Sequence, residues 1–354
     1  MKIETGGVFG VKKRRGIIKS AFLICFIVFF PSLVSAQNDW KLVRDSEGIK
    51  SYVRSVDGSS IYELKAITVV NAKMEVIGEV LRDIAAYPQW QSVCKEARVL
   101  DKTGPDDFVL YVILNLPVVS DRDVIVKSTA VRDLEKARTF INFNKIDAPE
   151  IKGSKGLVRM KEFSGQYVLE YITRDKTGVV YRYSADPGKG IPSFMVNIFG
   201  KKVLHNTMIG LKEMVGKEKY IELADKSPDR SVIEGIKSDR VRVKEILRTR
   251  LLEQAADKDA VDRMMQNEEL VKMFIEGDGE LATMVFMASG SIESRKEAIR
   301  KLLKIYLKNY IQAQDTIEKI SGDTSLIEAI ITGKKQNGMS AVEMLDLYLN
   351  SKSK

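Results

Sequence analysis

The residue pattern predicts an α+β fold: a curved antiparallel sheet closed around a long helix, followed by an all-α domain. Three observations predict it. Strand-like segments fill residues 40–185, and a long stretch with a broad apolar face follows at 191–215. Beyond Gly216 the strand patterns vanish and helical spacing takes over. A chain of 354 residues has room for both parts.

The elements follow in order. Ile61–Val70 is rich in β-branched and aromatic residues, as strands are. Ala72–Ile84 switches to helical spacing, with Met74, Ile77, Val80, Leu81 and Ile84 on one stripe. Tyr87-Pro88-Gln89-Trp90 ends that helix, because the residue before proline avoids the helical region. Further strands are expected at Phe108–Leu116, Asp123–Val131, Arg138–Asn144, Gly156–Phe163, Gln166–Thr173 and Thr177–Ala185. Turn signals at Ser164-Gly165 and Asp175-Lys176 make the last of these hairpins. Asp186-Pro187-Gly188-Lys189-Gly190 stops the sheet, and the helix Ile191–Val215 carries Phe194, Met195, Ile198, Phe199, Leu204 and Met208. Helices are then expected at Arg230–Asp257, Asp259–Glu276, Glu280–Ala288, Ser291–Ile320, Ser325–Thr332 and Ser340–Leu349, in a helical domain spanning 217–354. No internal repeat is visible.

Residues 1–36 read as a signal peptide. Lys12, Lys13, Arg14, Arg15 and Lys19 precede the apolar run Ala21–Phe30, and Val34-Ser35-Ala36 suits cleavage. The apolar run is short for a span, which takes about 20 residues, so a retained anchor is the lesser alternative. The expected product is an exported, periplasmic protein beginning near Gln37. Of 57 basic and 48 acidic residues, 6 and 1 lie in the first 36, leaving 51 and 47. Most of the basic excess is therefore targeting sequence, and no basic cluster interleaved with aromatics remains to bind nucleic acid. Past residue 36 the lone cysteine is Cys94, which cannot form an internal disulfide and reads as a small buried apolar residue.

Side chains alternate across a strand, which sorts the interior candidates. Arg122, Val124, Val126 and Ser128 share a face opposite Lys127. Tyr167, Leu169 and Tyr171 oppose Glu170, and Val179, Tyr181 and Tyr183 oppose Arg182. With Met195 and Phe199 from the long helix, these give an apolar, tyrosine-lined interior carrying one cation, suited to a hydrophobic molecule with one polar end. Arg122 has two readings, a ligand contact or a structural ion pair with Asp123 or Glu162, and Arg159 raises the same choice. Chemistry finds little support. His205 is the one histidine, and metal-ligand spacings, nucleophile elbows and phosphate loops are absent, so no cofactor and no catalysis are expected.

Several segments, taken together and in order, resemble the START family, the steroidogenic-acute-regulatory-protein-related lipid transfer module. They are Trp40-Lys-Leu-Val-Arg-Asp45, Gly48–Arg54, Asp83 with Tyr87–Trp90, and Leu116-Pro-Val-Val-Ser-Asp-Arg-Asp-Val124. Lys155–Arg159, Val180–Gly188 and Ile191-Pro192 complete the series over residues 40–216. The resemblance implies a helix-grip fold with an internal lipid tunnel closed by the last helix, and it places Arg122 where the family carries a cavity charge. Lys189 intervenes where the family has a second glycine, which affects the loop at the tunnel mouth. The expected partner is a lipid or other hydrophobic small molecule, with transient membrane contact and an oligomeric state left open. Two rivals stand beside this reading: an enzyme acting on an apolar substrate on the same scaffold, and an interaction module recruiting a protein through its helical domain.

Overall fold

The computed structural model describes residues 40–116, 119–148, 151, 156–234, 236, 240–277 and 279–350. The expected signal peptide lies outside the described residues. One sheet runs through β1 (Lys41–Ser46), β2 (Ile49–Arg54), β3 (Glu63–Val70), β4 (Cys94–Lys102), β5 (Phe108–Leu114), β6 (Arg122–Asp133), β7 (Arg138–Lys145), β8 (Val158–Arg159), β9 (Glu162–Thr173) and β10 (Lys176–Asp186). Its order is β1-β2-β3-β10-β9-β7-β6-β5-β4, antiparallel throughout except for β8, which pairs in parallel with the start of β6. The two outer runs are hairpin meanders, and the β3–β10 pairing joins them.

Two helices pack on the inner face. α1 (Met74–Arg82) buries Met74, Ile77, Val80 and Leu81, the predicted stripe. α2 (Ser193–Met214) lies along the sheet and fully buries Leu204, Met208 and Leu211, each worth about 1.5–3 kcal/mol. A 3-10 turn, Ile84–Gln89, follows α1 and contains Pro88; the α-helix has already ended at Arg82.

The helical part comprises α3 (Glu218–Leu223), α4 (Arg230–Ile233), α5 (Arg240–Gln254), α6 (Lys258–Met264), α7 (Glu268–Glu276), α8 (Glu280–Met287), α9 (Ile292–Lys308), α10 (Gln314–Ser321), α11 (Thr324–Thr332) and α12 (Ala341–Asn350). Three stretches expected as single helices are broken in two. Asn267 caps α7 by accepting from Leu270 N, which ends the preceding helix and starts the next.

The sheet differs from expectation in three places. β9 passes straight through Ser164-Gly165, which was expected to turn. Gly165 is there for a close approach: a Cβ on it would stand 2.4 Å from the Phe143 ring. The strand expected at Gly156–Phe163 shrinks to the two residues of β8 and the start of β9. β4 escaped notice because it is an edge strand with five charged residues and two register shifts, which blur the alternation.

Residues 37–354 form one compact unit. The helical part has its own apolar core, and that core continues onto the outer face of the sheet through Tyr52, Ile67 and Ile172. Phe286 of α8 lies flat on Gly178 of β10, where a Cβ would meet the ring at 2.6 Å. Lys65 Nζ donates to Gly290 O at 2.9 Å and to Ser289 O at 3.3 Å. Deeper in, Glu170 of β9 takes Arg138 Nε at 2.5 Å and Arg250 Nε of α5 at 2.8 Å, all three side chains nearly out of solvent.

Candidate functional site

The inner face of the sheet is filled unevenly. At one end the second half of α2 and all of α1 pack against Leu169, Val179 and Val70. At the other end the first half of α2 roofs a cavity of about 380 Å³. The helix supplies Met195 and Phe199 to that cavity, and β10 supplies Tyr181 and Tyr183. A smaller chamber of about 60 Å³ continues inward, lined by Val124, Val126 and Tyr167 among others. The two chambers share Gln91, Leu114, Phe163 and Tyr181.

The wall between sheet and cavity is aromatic. Tyr167 and Tyr181 stack 4.2 Å apart and 7° from parallel, and Phe143 and Phe163 stack at 5.9 Å. Tyr183 joins Tyr181 at 5.3 Å. Alternation along two antiparallel strands produces this contact directly, because the register pairs Tyr181 with Tyr167. Burial raises the pKa of Tyr167, Tyr181 and Tyr183, so all three phenols stay protonated donors at neutral pH.

The roof is held by polar bonds. Asn197 accepts from Tyr62 N at 3.0 Å and donates to Ser60 O at 3.1 Å, and the Ser60 and Ser193 hydroxyls meet at 2.8 Å. Tyr183 Oη donates to Gly200 O at 2.9 Å. On the outer side of the same half-helix Phe194 and Ile198 are 65% and 60% exposed.

Six of the nine predicted site residues reach the chambers: Val124, Val126, Tyr181, Tyr183, Met195 and Phe199. Leu169 shares their face but is fully buried beneath the helices, in the filled half of the groove. Tyr171 lies at the margin of that same packed cluster, and its carbonyl accepts from Arg250 Nη2 at 2.5 Å. Arg122 lines neither chamber. Its guanidinium donates to Pro187 O at 3.2 Å, to Lys189 O at 3.0 Å and to Ser120 O, and so pins the loop that leads into α2. The expected ion pair is thereby corrected: carbonyls take the place of Asp123 or Glu162. Asp123 points the other way, where Arg159 grips it with two bonds of 3.0 Å and Tyr111 Oη donates at 2.9 Å. Sequence reasoning overlooked Phe143 and Phe163 as lining residues. The signal for Phe143 was present, since Ile141 and Phe143 alternate with Asn142 and Asn144 on one strand.

His205 is fully buried away from both chambers, with Nε2 2.5 Å from Glu47 Oε2. Cys94 is buried, and desolvation pushes its thiol up to about 12, which leaves it unreactive at neutral pH.

The START domain profile matches residues 28–219, more than half of the chain. The chain belongs to the START family. Lipid binding in general comes with that membership, and the helix-grip architecture described above is the family's. An uncharacterized protein from Pseudomonas aeruginosa is 29% identical over 204 residues, covering 57% of this chain and 99% of its own. That match accounts for nearly all of the relative, so a large part of the present START chain has no counterpart in it. Phosphatidylcholine transfer protein of Mus musculus is 26% identical over 189 residues, 52% of this chain and 85% of its own. A solved STAR-related lipid transfer protein fragment from Xanthomonas axonopodis is 28% identical, covering 50% of this chain and 99% of that one with a TM-score of 0.47.

Proposed function

We propose that this START protein is an exported carrier that takes one hydrophobic, lipid-like molecule into the cavity beneath α2, shields it from water and releases it unchanged. The observation that carries the reading is the mismatch between the two halves of α2. The second half is sealed by apolar packing, whereas the first half roofs a cavity of about 380 Å³ and is fastened by a few hydrogen bonds. A cavity of that size is within the roughly 300–1,000 Å³ range of pockets that enclose one small molecule. Each buried ligand methylene contributes about 0.8 kcal/mol, so a lipid of some twenty carbons has ample driving force. The roof opens by losing hydrogen bonds rather than core, which suits reversible uptake. Carriage without chemistry is supported by the placement of His205 and Arg122, both fastened to protein groups outside the chambers. Export, with the first 36 residues removed and the product periplasmic, is supported by their basic and apolar runs and the small-residue cleavage site.

Native mass spectrometry of the mature protein purified from its own compartment, followed by lipid extraction, tests the reading. The expected result is one co-purifying hydrophobe in one-to-one ratio. Empty protein that also takes up nothing from a mixed lipid extract would sink the carrier reading. Recovery of a chemically altered lipid would turn it into an enzyme.

A further inference from the structure

An open trough of about 670 Å³ lies beside the outer chamber, and Leu116 and Val119 line both. Asn115, Ser120, Arg122 and Lys189 bring polar groups to it. Among the described residues that line it two side chains are charged, and both are positive. Arg122 is only 2% exposed, yet the groups that hold it are carbonyls and none is a carboxylate. A buried cation without a counter-charge is costly. The carbonyls of Ser120, Pro187 and Lys189 take three of its five guanidinium hydrogens, which leaves one on each terminal nitrogen. The neighbouring acids are committed elsewhere. Asp121 accepts from Lys95 Nζ at 2.7 Å and from Asn115 Nδ2 at 2.8 Å. Asp123 is held by Arg159, and Asp186 by Lys161 Nζ at 3.2 Å and Gly188 N at 2.9 Å. The Lys189 side chain is exposed and has no acidic partner among the described residues.

We infer that the trough binds a phosphate-type oxyanion, which takes the two remaining Arg122 hydrogens, the Lys189 ammonium and the Ser120 hydroxyl as its donors. Hydrogen bonds in which both partners are charged are the strong ones, and a guanidinium matches such an anion well. The donors come from two separate segments, Ser120 and Arg122 at the start of β6 and Lys189 in the loop entering α2. A phosphate presents oxygens in several directions and can bridge them, whereas a carboxylate presents one edge. The anion is either the phosphate of a bilayer headgroup or a free phosphate ion, since the trough is open to solvent. The inference goes beyond the carrier reading. It concerns what meets the protein outside the cavity, whatever the cavity holds.

The test has two arms, both on the full mature chain. In the first, inorganic phosphate is titrated by calorimetry at an ionic strength held constant with chloride. In the second, the protein is sedimented with phosphatidylcholine vesicles doped with phosphatidate, or with oleate to the same surface charge. Saturable one-to-one binding of phosphate assigns the free ion. A preference of about tenfold for phosphatidate over oleate vesicles, without binding of the free ion, assigns the headgroup. Lys189→Glu should weaken whichever binding is seen by about tenfold or more, the value of one charge-assisted hydrogen bond. The substitution keeps the Lys189 carbonyl that Arg122 holds, and the side chain is exposed, so the fold is not at stake. Lys226→Glu makes the same change of charge at an exposed residue outside the trough and should leave binding unaltered. Absence of binding in both arms would overturn the inference. So would binding that Lys189→Glu leaves unchanged, or that Lys226→Glu weakens equally, which is the mark of general attraction to a basic surface. Each of these outcomes leaves a co-purifying hydrophobe untouched, so the carrier reading survives or fails on its own measurement.

Discussion

The two faces of strands β3, β9 and β10 are built from the same alternating sequence and meet opposite fates. On the outer face Ile67, Ile172 and Gly178 disappear under α5 and α8, whose Phe286 packs against Gly178. On the inner face Tyr181 and Tyr183 look into open space beneath α2. Both faces are apolar, so hydrophobicity does not distinguish the stabilising surface from the binding surface. What distinguishes them is the shape of the covering element. Several short helices cover the outer face, whereas one helix of 22 residues covers the inner face and fully buries side chains only from Leu204 onward. The hollow is what the long helix leaves uncovered.

The largest effect should come from stripping the outer face. Residues 37–216 expressed alone are expected to lose cooperative folding, since Tyr52, Ile67 and Ile172 would be laid open and Glu170 would lose Arg250. Near-ultraviolet circular dichroism and size-exclusion chromatography of that fragment decide the matter. A monomeric fragment that melts cooperatively would show that the outer helices are an accessory and that the two faces are not comparable. Next in size is Glu170→Ala, which leaves the buried Arg250 guanidinium without its carboxylate while Arg138 keeps Glu253; denaturant titration should show a loss of about 3–5 kcal/mol.

A matched pair sharpens the contrast between the faces. Ile67→Ala, in the solid outer core, should cost about 2–5 kcal/mol, because a new void opens among close-packed atoms. Leu114→Ala, on the wall shared by both chambers, should cost the empty protein distinctly less, since part of its side chain already borders a void. Equal losses would mean that the inner face is as tightly packed as the outer.

The faces themselves were legible in the sequence, and the depth of packing on them was not. Alternation assigned Tyr167, Tyr181 and Tyr183 to the interior, with Glu170 and Arg182 opposite. The same alternation put Leu169 and Tyr171 among the site residues, because period-two patterning says which side a residue faces and nothing about how far a helix reaches over it. The helical spacing of α2 was equally plain, yet its two halves look alike in composition. What lies beneath each half is set by strand pairings distant in sequence, such as β3 with β10. Arg122 failed for a related reason. A cation next to acids in sequence suggests an ion pair, but Asp123 lies on the opposite side of the strand, and two of the three carbonyls that hold Arg122 come from residues 65 and 67 positions further on.

The smallest effect on stability should come from the roof, where function is expected to respond most. Asn197 bonds both Tyr62 N and Ser60 O, and each neutral hydrogen bond contributes about 0.5–1.5 kcal/mol. Asn197→Ala should therefore lower stability by no more than about 2 kcal/mol, because the second half of α2 keeps its buried Leu204, Met208 and Leu211. The first half of the helix, released from the Ser60–Tyr62 loop, should open more often. Release of a bound fluorescent lipid, followed by stopped flow into acceptor vesicles, should quicken several-fold while the melting temperature moves by a few degrees. Unchanged release with a lowered melting temperature would place the opening elsewhere and make Asn197 part of the packed face rather than of the hollow one.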